Sequence, residues 1–206
     1  IDALWIGGGG FTLPRYVAAR RPGSRSVVLE LDPNVVRIDR QQMGLVTGPA
    51  LRVRFGDARV LLRQEPAHAY DVIVGDAFAG RSVPWHLTTR EFLMSIRSKL
   101  RPDGVYAMNC IDAGPLDFVR AEAATLRSVF AHVVLEARPW QPNDAASENF
   151  VFFASDRPLP LGALATSPRR RHDGLALYAE PAVASFAKNA LVLRDDYAPV
   201  DQLITH

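Results

Sequence analysis

Nothing narrows the fold of this chain more than its opening residues. A short apolar run, Ala3–Ile6, leads straight into Gly7-Gly8-Gly9-Gly10, and a helix pattern follows over Leu13–Ala19 with Pro14 in its first turn. Strand, glycine turn and helix in that order begin a β-α-β unit. The glycines allow a tight turn and let a ligand touch bare backbone. The helix N-terminus behind them favours negative charge. The strict G-x-G-x-x-G spacing is not met, because Thr12 stands at the sixth position, and the phosphate loop G-x-x-x-x-G-K-[ST] is absent.

The alternation continues. Ser26–Leu31 (SVVLEL) reads as a strand closed by Asp32-Pro33, and Pro33–Met43 as a helix stopped by Gly44. Leu51–Phe55 is a strand closed by Gly56-Asp57, followed by a short helix over Ala58–Gln64. Tyr70–Val74 is almost unbroken apolar sequence, as expected of a central parallel strand buried on both faces. Thr89–Leu100 is an amphipathic helix with Thr88 or Thr89 as N-cap and Glu91 in its first turn. A strand over Gly104–Ile111, a helix over Pro115–Phe130, and strands over His132–Ala137 and Asn149–Ala154 complete the pattern. The last two strands have only a polar loop (RPWQPNDAASE) between them, so they pair as an antiparallel hairpin. The expectation is an α/β fold: a Rossmann-like, seven-stranded, mainly parallel sheet with helices on both faces. Asp156 to His172 reads as irregular, Pro181–Ala190 as one more helix, and Leu193–Ile204 as neither periodic nor disordered in composition. The first strand begins within three residues of the start, from which we expect a natural protein longer at its N-terminus.

Composition removes several function classes. A net charge of +2 is not the footprint of a nucleic-acid binder, so no nucleic-acid partner is expected. The run Arg169-Arg170-Arg171-His172 reads as a solvated loop. Cys110 is the only cysteine, which excludes an intramolecular disulfide and a Cys-rich zinc site. His68, His132 and His172 lack metal-ligand spacing, so no metal is expected. Ser82 and Ser147 have no nucleophile elbow around them. No apolar run approaches the ~18 residues of a membrane span, and no signal peptide pattern stands at the front. The expectation is a cytoplasmic chain without membrane contact.

Acids stand at the carboxyl ends of the strands, where open α/β sheets bind ligands. Glu30 closes the second strand and has the spacing to accept both hydroxyls of a ribose; the plainer reading is a charge at the start of the next helix. Asp57, in Gly56-Asp57-Ala58, can take an adenine amine or simply cap its helix. Asp76, in VGDAF, faces a reacting centre or caps a loop. Three acids with a glycine loop favour an adenosyl-sulfonium ligand over NAD, which needs nothing like Asp57 or Asp76.

IGGGG…PR, VVLELD, GDAR and YDVIVGDAFAGRSVPWHLTTREF together resemble the spermidine/spermine synthase family of the class I methyltransferase superfold, over roughly Leu4 to Asp156. RDDYAPVDQL near the end resembles the C-terminal part of bacterial spermidine-synthase-like proteins. The resemblance implies a nucleoside-binding catalytic domain over 1–156 and an extension over 157–206 that packs on it as a lid. It implies that Gly7, Gly8, Gly9 and Gly10 hold the methionine-derived part of S-adenosylmethionine or its decarboxylated form. Glu30 would bind ribose, Asp57 and Ala58 adenine, and Asp76 would be the general base. The acceptor would be a small-molecule amine, a polyamine by the family's name, and the assembly a homodimer.

The sequence departs from the family at two carboxylates. The loop's fourth residue is Gly10 where the family has Asp, and the second acid after Asp76 is Ala79. Each lost charge-assisted contact is worth about 1.5–3 kcal/mol. Asp195 and Asp196 are candidate replacements from the tail, and Trp85, His86 and Tyr197 candidate lining residues. Two alternatives stay open. One is a methyltransferase using S-adenosylmethionine on a small molecule, since Gly10 does not repel the donor's carboxylate as an acid would. The other is a non-catalytic ligand-binding domain of a larger protein.

Overall fold

The computed structural model describes residues 1–80, 82–139, 148–165 and 174–204. Within them the chain alternates as follows. Strand β1 (Asp2–Ile6) leads to helix α1 (Thr12–Arg20), β2 (Arg25–Glu30) to α2 (Pro33–Gln42), and β3 (Leu51–Phe55) to α3 (Ala58–Arg63). Strand β4 (Tyr70–Gly75) is followed by a single 3₁₀ turn at Trp85–Leu87 and α4 (Arg90–Lys99). Then come β5 (Leu100–Asp112), α5 (Asp117–Arg127), β6 (His132–Ala137) and β7 (Glu148–Ser155). Short elements finish the chain: α6 (Leu161–Ala165), β8 (Ala176–Tyr178), α7 (Ala182–Phe186) and α8 (Val200–Leu203).

One sheet runs through the molecule in the order β3-β2-β1-β4-β5-β7-β6-β8. The first five strands in that order pair parallel, and β7 is antiparallel to both β5 and β6. Alternation along the strands feeds two cores. Leu4 and Ile6 of β1, with Val27, Leu29 and Ile73, pack on the face that carries Leu62 of α3, Leu93 and Ile96 of α4, and Phe118 and Leu126 of α5. Ala3, Trp5 and Val28 face the other way, onto Phe11, Val36 and Leu45. Each inner strand is thus covered on both sides, which explains why β4 carries no polar face.

The sheet has eight strands where the sequence pattern suggested seven. The extra one, β8, is three residues long and pairs with the edge of β6, Leu135 opposite Tyr178. So short a run has no readable period, and tertiary pairing alone makes it a strand. The helix expected over Pro181–Ala190 is confined to Ala182–Phe186, because Asn189 takes a left-handed conformation (φ 60°) that ends helical structure. The stretch expected to be irregular contains α6. Arg169–His172, Ser147 and most of the β6–β7 loop lie outside the described residues. Among the described residues no helix is long and apolar enough to cross a membrane.

The topology fixes where a ligand belongs. From β1 the chain winds outward through β2 to β3, then returns to place β4 on the other flank of β1. The carboxyl ends of β1 and β4 form the switch point of the sheet, where the following loops leave in opposite directions and open a crevice.

Candidate active site

The crevice is built first from backbone. Gly7 follows β1, and Asp76 follows β4. A Cβ on Gly7 would sit 2.4 Å from the Asp76 carbonyl oxygen, and its φ of +94° belongs to glycine. Asp76 N donates to the Ile6 carbonyl at 2.9 Å, so the two strand ends are stitched together. Gly8 is equally constrained: a Cβ there would meet the Phe11 ring at 2.8 Å and Glu30 Oε2 at 2.9 Å. Gly10 is different. Its nearest neighbour would be Met43 Cε at 3.5 Å, an ordinary contact, so side-chain bulk does not exclude other residues there.

Phe11, which the sequence reading passed over, anchors the loop. It is wholly buried, donates its amide to the Gly8 carbonyl at 2.9 Å and begins α1 from a left-handed conformation (φ 53°). A non-glycine residue held there signals an over-determined turn. Gly7 to Gly10, Trp5, Thr12, Leu13, Pro14, Val74 and Asp76 enclose a cleft of about 130 Å³.

Glu30 faces the glycine loop. Its Oε2 accepts Gly8 N at 2.7 Å and its Oε1 accepts Asp32 N at 2.9 Å. It is 8% exposed, and two backbone amides satisfy the buried charge. Each oxygen keeps a second acceptor direction for an incoming hydroxyl. Asp57 caps α3, with Oδ1 accepting Val60 N at 3.0 Å. Its Oδ2 meets His86 Nε2 at 2.8 Å. Burial opposes ionisation of Asp57, but the Val60 amide and the His86 ring outweigh it, and the carboxyl titrates below its ordinary value. Ala58, the first residue of α3, is buried beside it.

Asp76 is exposed to solvent, and its Oδ1 accepts Asn109 Nδ2 at 3.0 Å. Asn109, on β5, is a second residue the sequence reading did not single out. Its own Oδ1 is buried without a hydrogen-bond partner among the described residues, an acceptor beside the strand edge. An asparagine inside a strand that otherwise alternates cleanly was the signal available.

The remaining candidates separate. His86 was read as lining an acceptor pocket; the structure pairs it with Asp57 at the end of β3. Trp85 packs edge-on against the His86 ring, centroids 5.8 Å apart, and is half exposed. Asp195 is engaged elsewhere: the Arg59 guanidinium grips both its oxygens, and Thr89 Oγ1 donates to Oδ1 at 2.6 Å. Its carboxyl is drawn below the usual range chiefly by Arg59. An acid so neutralised is a poor partner for a substrate cation, which corrects its assignment as a substitute for the missing carboxylates. Asp196 and Tyr197 stand exposed on the same turn, closed by Arg194 and Tyr197 pairing backbone to backbone. Among the described residues no group of three or more His, Cys, Asp or Glu side chains stands close enough to hold a metal.

Comparison with known proteins shows the family and the fold. Residues 2–135 match the family model described as the spermine/spermidine synthase domain. A polyamine aminopropyltransferase of Vibrio vulnificus is 38% identical over 129 residues, covering 62% of this chain and 42% of that protein. The crystal structure of a probable spermidine synthase from Corynebacterium glutamicum superposes with a TM-score of 0.87 at 30% identity, covering 97% of this chain and 74% of that one. Human methyltransferase-like protein 13, solved with SAH, shares the fold: TM-score 0.67, 23% identity, 98% of this chain and 89% of that one. The chain spans about two fifths of the curated Vibrio relative and 34% of a Streptomyces coelicolor polyamine aminopropyltransferase.

Proposed function

The chain belongs to the spermine/spermidine synthase family, and from that premise we propose that it is a transferase that binds decarboxylated S-adenosylmethionine at the β1–β4 crevice and passes its aminopropyl group to an amine. The observation that carries the reading is the stitched edge itself. Gly7 and Gly8 admit no side chain, Glu30 is held against them by two amides, and Asp76 stands across with one carboxylate oxygen that meets no donor among the described residues.

The geometry supports the roles that the family resemblance implies. Glu30 takes the ribose hydroxyls with its unused lone pairs. Asp57 takes the adenine amine from a carboxylate already fixed by Val60 and His86. In the reaction a C–N bond forms, the C–S bond breaks, and its electron pair returns to sulfur, turning the sulfonium into a neutral thioether. An alkylamine has a pKa near ~10, so it arrives as an ammonium and must shed a proton to attack. Asp76, oriented by Asn109, attracts the ammonium, aligns its nitrogen and takes the proton out to solvent.

A polyamine is the acceptor the relatives' names suggest, and the extension over 157–206 serves as a lid. A homodimer is the assembly we propose. A second reading rests on Gly10. With no acid at that position and room beside Met43, the loop accommodates a donor that keeps its carboxylate, which makes methyl transfer from S-adenosylmethionine the competitor.

Calorimetric titration with decarboxylated S-adenosylmethionine, S-adenosylmethionine and methylthioadenosine tests both. Preference for the decarboxylated donor supports aminopropyl transfer. Preference for S-adenosylmethionine moves the chain to the methyltransferases. Binding of none overturns the donor site.

A further inference from the structure

Arg59 is the second residue of α3, two positions past Asp57. Its guanidinium is mostly buried, 16% exposed, and gathers four segments of chain. Nη1 donates to the His86 carbonyl at 2.9 Å, to Thr89 Oγ1 at 3.3 Å and to Asp195 Oδ1 at 2.8 Å, while Nη2 donates to Asp195 Oδ2. The bidentate geometry is the strong form of an arginine–carboxylate pair. Around it, Thr89 caps α4 by accepting Phe92 N at 3.3 Å, and Glu91 Oε2 accepts the Asp195 amide at 3.0 Å. The tail is fastened just upstream as well: Arg90 N donates to the Leu193 carbonyl at 2.8 Å, and Leu193 N donates to Thr125 Oγ1 at 2.9 Å.

His86 is therefore held at both ends. Arg59 fixes its carbonyl, and Asp57 fixes its ring. Asp57 in turn is held by His86 and by the first turn of the helix that carries Arg59. An ionised carboxylate only accepts, so Nε2 carries a proton in this pair whether the ring is neutral or doubly protonated.

We propose that Asp195 is a positioning residue for the nucleobase end of the donor site: through Arg59 it sets His86, and through His86 the free acceptor direction of Asp57. The proposal rests on the reading that Asp57 meets the nucleobase. It assigns the tail turn a part in donor recognition without contact to the donor. Arg59 and Asp195 lie 136 positions apart in the chain, so donor affinity depends on the tail being docked.

The test uses Asp195→Ala, Asp195→Asn, Arg59→Ala and the double Arg59→Ala/Asp195→Ala variant. Two readouts are needed: calorimetry with methylthioadenosine, and nitrogen-15 shifts of the His86 ring. Asp195→Ala weakens methylthioadenosine binding about tenfold and shifts the His86 ring away from a single Nε2-protonated form. Asp195→Asn, which keeps the shape and one acceptor, loses less. The double variant is no worse than Arg59→Ala alone, because Asp195 acts only through Arg59. A lowered melting temperature with affinity and His86 shifts unchanged would reduce the pair to tail anchoring and overturn the proposal. If the wild-type chain binds no methylthioadenosine, the donor reading fails; the His86 shifts still judge the clasp, and unchanged shifts in Asp195→Ala overturn it too.

Discussion

In the proposed site two glycines and three acids set the chemistry, and each has a measurable weight. Gly7→Ala forces a side chain into the Asp76 carbonyl from a left-handed backbone, so we expect a loss of well over ~1 kcal/mol in urea unfolding together with loss of donor binding. Gly10→Ala is the control: its Cβ meets the end of Met43 at 3.5 Å and Thr12 Oγ1 at 3.7 Å, both ordinary contacts, and unfolding stays within about 0.5 kcal/mol of the parent. Asp76→Asn removes the proton acceptor but keeps the shape and a partner for Asn109. Turnover falls by about 10²–10⁴ with donor affinity little changed, which single-turnover kinetics beside calorimetry will separate. The residues missed at this scale share a cause. Phe11 gives no sign in sequence that it will sit left-handed beneath a glycine loop. Asn109 acquires meaning only when β5 lies beside β4. The placement of Glu30, Asp57 and Asp76 at strand ends was legible because strand ends are legible. The partner of Asp195 was not, since Arg59 lies far off in the chain.

Among the elements, α5 carries the oddest burden. Glu122 is completely buried, and among the described residues neither of its side-chain oxygens has a hydrogen-bond partner. Desolvation holds its carboxyl well above the ordinary carboxylate range, so it is neutral in the folded protein near its ordinary pKa. In the unfolded chain it ionises near pH ~4.3. The folded state therefore binds the extra proton, and stability falls as pH rises above about 4.3. Glu122→Gln removes that slope; denaturant midpoints taken at several values between about pH 5 and 8 should converge for the wild type and the variant at the acid end. The long elements here were readable because their periods run over many residues. Strand β8 and helix α6 were not, being too short for a clear repeat.

At the scale of the whole molecule, the sheet is pinned at its lower edge by an ion network. Asp2 lies between Arg25 and Arg101, and Arg101 also reaches Asp71. Hydrogen bonding from Arg25 outweighs partial burial and, with Arg101, holds the Asp2 carboxyl far below the usual range. Asp71 is also lowered, Arg101 overcoming its desolvation. These contributions are present above the unfolded value near ~3.9 and are lost as pH falls through the still lower folded values. Acid unfolding should begin below about pH 4, and Arg101→Ala, which takes the guanidinium from Asp71 and leaves Asp2 with Arg25 alone, should move its midpoint upward.

The order of the strands also governs how the domain comes into being. β7 lies between β5 and β6 although it follows both in the chain. During synthesis β6 emerges with no seat, and β5 keeps a bare hydrogen-bonding edge until residue 155 has been made. The last insertion joins distant segments and is the slow, entropy-limited kind of step. A chain cut at residue 135, where the family match ends, would be an open-edged sheet prone to pair with its own kind rather than a smaller version of the same domain.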